Sequence, residues 1–247
     1  MINTNNNPDT LTQMLDLCRQ VYPYLDGQYQ AENNDNLIHF NQPIWLNGTA
    51  EDRFTIEQVY QDIKQSAPEA DHAYYLTRTW DLLCWQPVYV AFIAIYGLQQ
   101  LPDFSHFKQQ RQHHSITGFT FQSSAMTSAK PEQLIALAAK QLSQLLEHYR
   151  YHLDNLYRCR PGYVKHLLAD LIIGNLVKVE QYVPHFSIAD LQHHTQLWLN
   201  AFGLPEKLKN TIEIANNQSV IHTRQSCCLT YKANNNLCEN CPKQVRT

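Results

Sequence analysis

The chain has 247 residues, 44% of them hydrophobic, enough for one large domain or two small ones around a sizeable core. Charged residues are only 17% and the formal net charge is −3, so there is no basic field to draw the protein to nucleic acid. The Asn-rich first dozen residues carry neither a basic stretch nor an apolar run, which reads as no signal peptide and points to a reducing, cytoplasmic setting.

Residues 10–22 read as a short helix stopped by Pro23, and 36–46 as a partly alternating strand that runs into the turn pair Asn47-Gly48. Residues 56–65 and 72–97 read as helices, the second bent at Pro87. The most apolar run, 82–98, is short and contains Gln86 and Pro87. A bilayer span needs about 20 predominantly apolar residues, so this run is expected to be a buried helix and no transmembrane segment. Residues 115–121, Ser-Ile-Thr-Gly-Phe-Thr-Phe, are rich in β-branched and aromatic side chains and predict a strand.

Pro131 opens the clearest helix. Leu134, Ala138, Leu142, Leu145, Tyr149, Leu153 and Leu156 follow at steps of three and four as one apolar stripe, with Pro161-Gly162 as the expected stop. Residues 163–183 are apolar nearly all round and predict a central helix ended by Pro184. Ser187 is placed to cap a further helix through Ala201, stopped at 203–205. Beyond Leu208, two short β-type runs flank Asn216-Asn217 and predict a hairpin leading to Cys227. The expected fold is α+β: a predominantly helical body, residues 1–208, with a small antiparallel sheet, then residues 209–247 as the hairpin and a C-terminal cysteine-rich segment.

That last segment holds four of the seven cysteines: the adjacent pair Cys227-Cys228, a nine-residue spacer, then Cys238-Glu-Asn-Cys241. Adjacent cysteines close on each other only with strain, and a reducing compartment disfavours a disulfide framework. Four thiolates also make a closed tetrahedral zinc site, but zinc ligands come typically as two spaced pairs, and Cys227-Cys228 has no spacer. Neighbouring side chains of an extended segment point to opposite faces, so gripping one ion with both needs a sharp local turn. A two-iron cluster relaxes that demand, because its irons offer separate directions of coordination. Zinc and [2Fe–2S] both remain open on spacing alone.

The run Thr223-Arg-Gln-Ser-Cys-Cys-Leu-Thr-Tyr231, with Cys238-Glu-Asn-Cys-Pro242 after it, resembles the FhuF-like siderophore ferric-iron reductases. Their C-terminal motif is a basic residue or two, a Cys-Cys pair, a spacer and Cys-x-x-Cys. Two departures are a spacer one residue shorter than the family's usual one and Gln225 where a second arginine often stands. The resemblance implies that Cys227, Cys228, Cys238 and Cys241 ligate a [2Fe–2S] cluster in a cluster-binding segment. It implies an oxidoreductase of the cytoplasm that passes one electron to a ferric siderophore, hydroxamate-type by preference, and releases Fe(II), with no catalytic residue required beyond the cluster ligands. Two other classes fit the same cysteines: a zinc-stabilised, non-enzymatic binding module, and an iron–sulfur electron-transfer or redox-sensing protein with another acceptor.

The seven glycines form no G-x-G-x-x-G and no P-loop, so the electrons are expected from an external donor such as a ferredoxin or a flavoprotein reductase. Glu239 and Asn240, inside the Cys-x-x-Cys loop, are either tuners of the cluster or simply a polar loop. His148 and His152 share a helical face at metal-ligand spacing, but Tyr149 replaces the glutamate of the zincin motif, and solvated helix histidines are the expectation. His113-His114 and His193-His194 read as surface or cap positions. Lys140, His148, Arg150, His152 and Arg158 form either a basic pocket for an anionic iron complex or a charged outer face. Trp80, Trp85, Tyr74 and Tyr75 read as core aromatics with stacking on a ligand as the alternative, and Cys18, Cys84 and Cys159 as buried small hydrophobes.

Overall fold

The computed structural model describes residues 2–6, 8–31, 45–112, 114–179, 183–215 and 219–244. In chain order these form β1 (Asn3–Asn6), α1 (Pro8–Val21), β2 (Gly27–Tyr29), β3 (Trp45–Leu46), α2 (Asp52–Ser66) and α3 (His72–Leu98). Then come β4 (Gln100–Pro102), β5 (Phe107–Gln112), β6 (Ser115–Phe121), β7 (Ala125–Ser128), α4 (Pro131–Tyr157) and α5 (Pro161–Val179). The chain closes with α6 (Ile188–Ala201), the hairpin β8 (Ile212–Ile214) and β9 (Val220–His222), and one turn of helix, α7 (Tyr231–Asn234). The architecture is α+β and mostly helical.

α3 is the axis of the fold. Asp71 caps it by accepting the Tyr74 N–H at 3.1 Å, and it runs unbroken through Pro87 to Gln99, which turns left-handed at φ 52°. Proline removes one ladder hydrogen bond, a cost borne here because Leu83, Val88, Val90, Ala91 and Phe92 are buried around it. Among the described helices α3 alone is long and apolar enough to cross a bilayer, yet 67% of its most apolar window is buried in the fold, as suits a core helix.

Around α3 the apolar side chains form two clusters. The larger joins α1, the second half of α3, the β5–β6 aromatics Phe107, Phe119 and Phe121, and α6. The smaller joins α2, the first half of α3 and the C-terminal half of α4. Half-buried Trp85, Leu145, Leu168 and Leu171 touch both. A bidentate pair, Arg111 to Asp62 at 2.6 and 2.8 Å, fastens β5 to α2.

The expected stripe of α4 is the buried one, with Pro131 in the first helical turn. Its stop lies earlier than Pro161-Gly162: Arg158 turns left-handed at φ 59°, and Pro161 opens α5 instead. Proline's fixed φ suits a first helical position as well as a stop, and here it serves the start. α5 is described to Val179, and residues 180–182 lie outside the description. Ser187 caps α6 in a reciprocal box: its hydroxyl accepts the Asp190 N–H at 3.1 Å, and Asp190 accepts the Ser187 N–H at 2.9 Å.

The sheet content exceeds the single small antiparallel sheet expected. β1-β7-β4 is antiparallel, while β2-β6-β5-β3 is mixed, with β2 parallel to β6. β6 and the antiparallel pair β8–β9 are where the sequence puts them, although residues 216–218 lie outside the described residues. Of the strand expected over 36–46, only Trp45 and Leu46 are described, and they pair with β5.

Trp198 of α6 is fully buried, stacks on Phe92 with centroids 4.5 Å apart, and donates from Nε1 to the Tyr96 hydroxyl at 2.9 Å. Trp198→Ala is expected to cost about 3–5 kcal/mol, because cavity and lost transfer energy add. Urea denaturation followed by far-UV circular dichroism measures it.

Candidate metal centre and the cavity beside it

The C-terminal segment is held to α5 by one buried carboxylate. Asp170 sits in the apolar α5 and accepts the Gln225 N–H at 2.8 Å and the Ser226 N–H at 2.7 Å, one on each oxygen. His222 Nε2 stands 3.9 Å from Oδ1 and Arg224 Nε 3.7 Å from Oδ2. Burial pushes the Asp170 carboxyl up from its ordinary value, and the two N–H groups and Arg224 pull against it. Arg224 also donates its backbone N–H to the Asn240 carbonyl at 3.0 Å, so the approach to Cys227 is tied to the loop between Cys238 and Cys241.

These ties bring Cys228 Sγ to 3.4 Å from Cys238 Sγ. Past the adjacent cysteines the backbone turns sharply: Leu229 is left-handed at φ 58°, and its carbonyl accepts the Lys232 N–H at 2.9 Å to start α7. The Cys241 N–H closes a turn on the Cys238 carbonyl at 3.0 Å. Cys228 and Cys241 both oppose ionisation of Cys238, while Cys227 and Cys241 both act on Lys243, which caps the segment by pairing with Tyr231 at 2.8 Å. Burial resists ionisation of Cys228, but the Thr230 hydroxyl and N–H, the Cys238 thiol and Arg224 outweigh it and lower its pKa. Burial and the thiol partner push Cys238 up to about 12.

All seven cysteines are free thiols. Among the described residues no three His, Cys, Asp or Glu side chains are grouped so as to hold a metal ion. The donor chemistry nevertheless fits one. The 3.4 Å between Cys228 and Cys238 approaches the ~3.7 Å edge of a tetrahedron built on ~2.3 Å metal–sulfur bonds. Cys227, Cys228, Cys238 and Cys241 come from one segment, with Cys228 and Cys241 buried and the other two half-buried.

Next to the segment lies a cavity of about 440 Å³. Arg224, three residues before Cys227, is part of its wall, with Arg78 and Asp81 of α3 alongside. Tyr22, Tyr24, Trp85 and Tyr89 make an aromatic wall, and Ser115 and Thr117 of β6 a polar one. Tyr22 meets Trp85 edge-on at 5.8 Å, and Trp85 meets Tyr89 likewise at 5.8 Å. One face of α3 thus runs from the thiols into the cavity, at steps of three and four: Asp71 pairs with Lys232, Tyr74 feels Cys228, then follow Arg78, Asp81, Trp85 and Tyr89. Burial pushes the Asp81 carboxyl up, against the pull of Arg224 and Arg78. Burial also works against the charge of Arg224, but Asp81, Asp170 and the thiols of Cys228 and Cys238 more than offset it and raise its pKa.

Other sequence candidates find different roles. Glu239 is exposed, and Asn240 contributes its backbone carbonyl. His148 and His152 are not solvated: His152 is buried, and His148 bonds Asp52 at 2.9 Å because the turn before α2 docks on α4. Arg150 is consumed by Glu147, Asp154 and the Cys159 carbonyl, while Lys140 and Arg158 are exposed, so the five basic residues do not make one pocket. His114 and His193 are exposed, His194 bonds the Tyr96 hydroxyl at 2.9 Å, and His113 lies outside the described residues. Trp80 and Tyr75 are core, while Trp85 and Tyr74 are half-buried on the face of α3 that leads to the cavity. Asp170, Asp81 and Arg78 escaped the sequence reading; lone charges inside apolar helical runs were the signal. No known protein family and no solved structure matches the chain.

Asp170→Ala is expected to cost about 1–3 kcal/mol in docking of the tail, since two N–H groups lose their acceptor. Hydrogen exchange should speed up at Gln225 and Ser226 and stay unchanged in α3 and α6. Burial pushes Cys18 and Cys159 up to about 12 and Cys84 well above the ordinary thiol value. In metal-free native protein a disulfide reagent should therefore titrate no more than the four C-terminal thiols, and all seven only after denaturation.

Proposed function

We propose that the protein is a cytoplasmic ferric-siderophore reductase, and the observation that carries this reading is Arg224, shared by the cysteine segment and the wall of the cavity. Cys227, Cys228, Cys238 and Cys241 would hold a [2Fe–2S] cluster, which supplies single electrons at low potential. Hard hydroxamate or catecholate oxygens suit Fe(III) far better than Fe(II), so a one-electron reduction turns a tightly held ion into an exchangeable one. The cavity's share is binding and orientation. Arg78 and Arg224 offer guanidinium donors to the chelating oxygens, and Tyr22 and Trp85 close the apolar side. Asp81, whose carboxyl burial pushes up, is placed to hold a proton on its side chain for the ligand oxygens set free. The electrons come from a separate donor protein such as a ferredoxin or flavoprotein reductase.

A zinc-stabilised module without enzymatic activity is the second reading, because the Cys228–Cys238 distance suits a zinc tetrahedron equally well. Anaerobic purification separates the two. The reductase reading expects a reddish-brown protein with iron and acid-labile sulfide in equal amounts and a rhombic EPR signal after dithionite. Fe(II) should then be trapped by a ferrous chelator at a rate that saturates with ferric siderophore. Cys→Ser at any of the four positions should remove colour and signal together. A colourless protein with stoichiometric zinc would sink the reading.

A further inference from the structure

The aromatic wall is unusual in being held out in solvent: Tyr22 is 42% and Tyr24 62% exposed, though they pack on each other at 5.5 Å. Large rings at the surface of a concave site are the common means of gripping a flat ligand. Behind them the two guanidinium groups have donors to spare. Arg78 is exposed and makes no ion pair or hydrogen bond to a described residue. Arg224 lines the cavity with its side chain 22% exposed, and its nearest carboxylate oxygen lies at 3.7 Å, beyond hydrogen-bond reach. A guanidinium open to a cavity and not bonded to a carboxylate is a ready donor to an incoming anionic oxygen.

We infer that this cavity, contrary to the hydroxamate preference the motif's resemblance implies, selects trivalent-metal chelates whose ligand arms are anionic aryl groups, catecholate or phenolate, over neutral hydroxamate chelates. The inference rests on the reading of the protein as a ferric-chelate reductase and narrows its substrate class. A tris-catecholate complex is trianionic and presents ring faces and edges along with paired oxygens. Rings meet Tyr22, Tyr24 and Trp85, and oxygens meet the forks of Arg78 and Arg224. A trihydroxamate complex is neutral and has no ring, so it forgoes both attractions. Among the described residues Asp81 is the one carboxylate on the wall, and with two arginines beside it the described lining is cationic. The cavity's ~440 Å³ falls in the range of about 300–1,000 Å³ usual for small-molecule sites.

Gallium(III) tests this without electron transfer. The full-length protein is titrated calorimetrically with the gallium complex of a hexadentate tris-catecholamide and with that of a linear trihydroxamate. The catecholamide complex should bind at least about tenfold more tightly, and more weakly as salt rises. Arg78→Ala should cost about tenfold for it and leave the trihydroxamate unchanged, with Arg78→Lys in between. Equal or tighter trihydroxamate binding, no binding of either complex, or indifference to Arg78→Ala would overturn the inference. Gallium takes up no electron, so these results stand apart from the EPR experiment: a missing cluster defeats the reductase and leaves the binding data intact.

Discussion

Asp170 is a carboxylate set in an apolar helix, and the candidate site depends on how its charge is satisfied. Both oxygens accept backbone N–H groups, from Gln225 and Ser226, and Arg224 stands beside them. Burying a carboxylate without such partners would cost several kcal/mol, so the body of the protein is completed only when the tail returns to α5. The dependence runs both ways. The tail has few apolar side chains of its own, and Asp170 holds Gln225 and Ser226, the two residues before Cys227, to a rigid helix. Together with the Lys232–Asp71 pair it fixes where the cysteines stand relative to α3 and to the cavity.

α3 converts that placement into a site. Its inner faces belong to two apolar clusters, which leaves one stripe to carry Asp71, Tyr74, Arg78, Asp81, Trp85 and Tyr89. Because a helix is rigid over this length, the distance from thiols to aromatic wall is set by its rise rather than by a loop. Trp85 contributes twice: it touches both clusters and donates from Nε1 to the Ile116 carbonyl at 3.1 Å, which holds β6 as the opposite wall.

Much of this was legible in the amino-acid order wherever a local rule acts alone. The α4 stripe, the Ser187-to-Asp190 cap and the β-branched run of β6 each announce their structure. β1 and β5 do not: Asn-Thr-Asn-Asn and Phe-Lys-Gln-Gln-Arg-Gln have little strand preference, and only pairing with β7 and β6 makes them strands. The four cysteines stood out because they are neighbours in sequence. The cavity did not, since its parts come from the turn after α1, from α3, β6, α5 and the tail, and Asp170 meets its partners across 55 and 56 residues. Lone ionisable residues in apolar helices are the trace such distant pairings leave.

Neither apolar cluster includes any of the four C-terminal thiols. The packing that makes the body cohere is therefore independent of metal, unlike a zinc finger, whose fold is the metal's doing. On the reading proposed above, biogenesis proceeds in two stages, a finished globule first and a prosthetic group delivered afterwards to a strap at its periphery. Iron starvation would then leave an intact but idle apoprotein ready for loading, rather than a casualty for proteolysis.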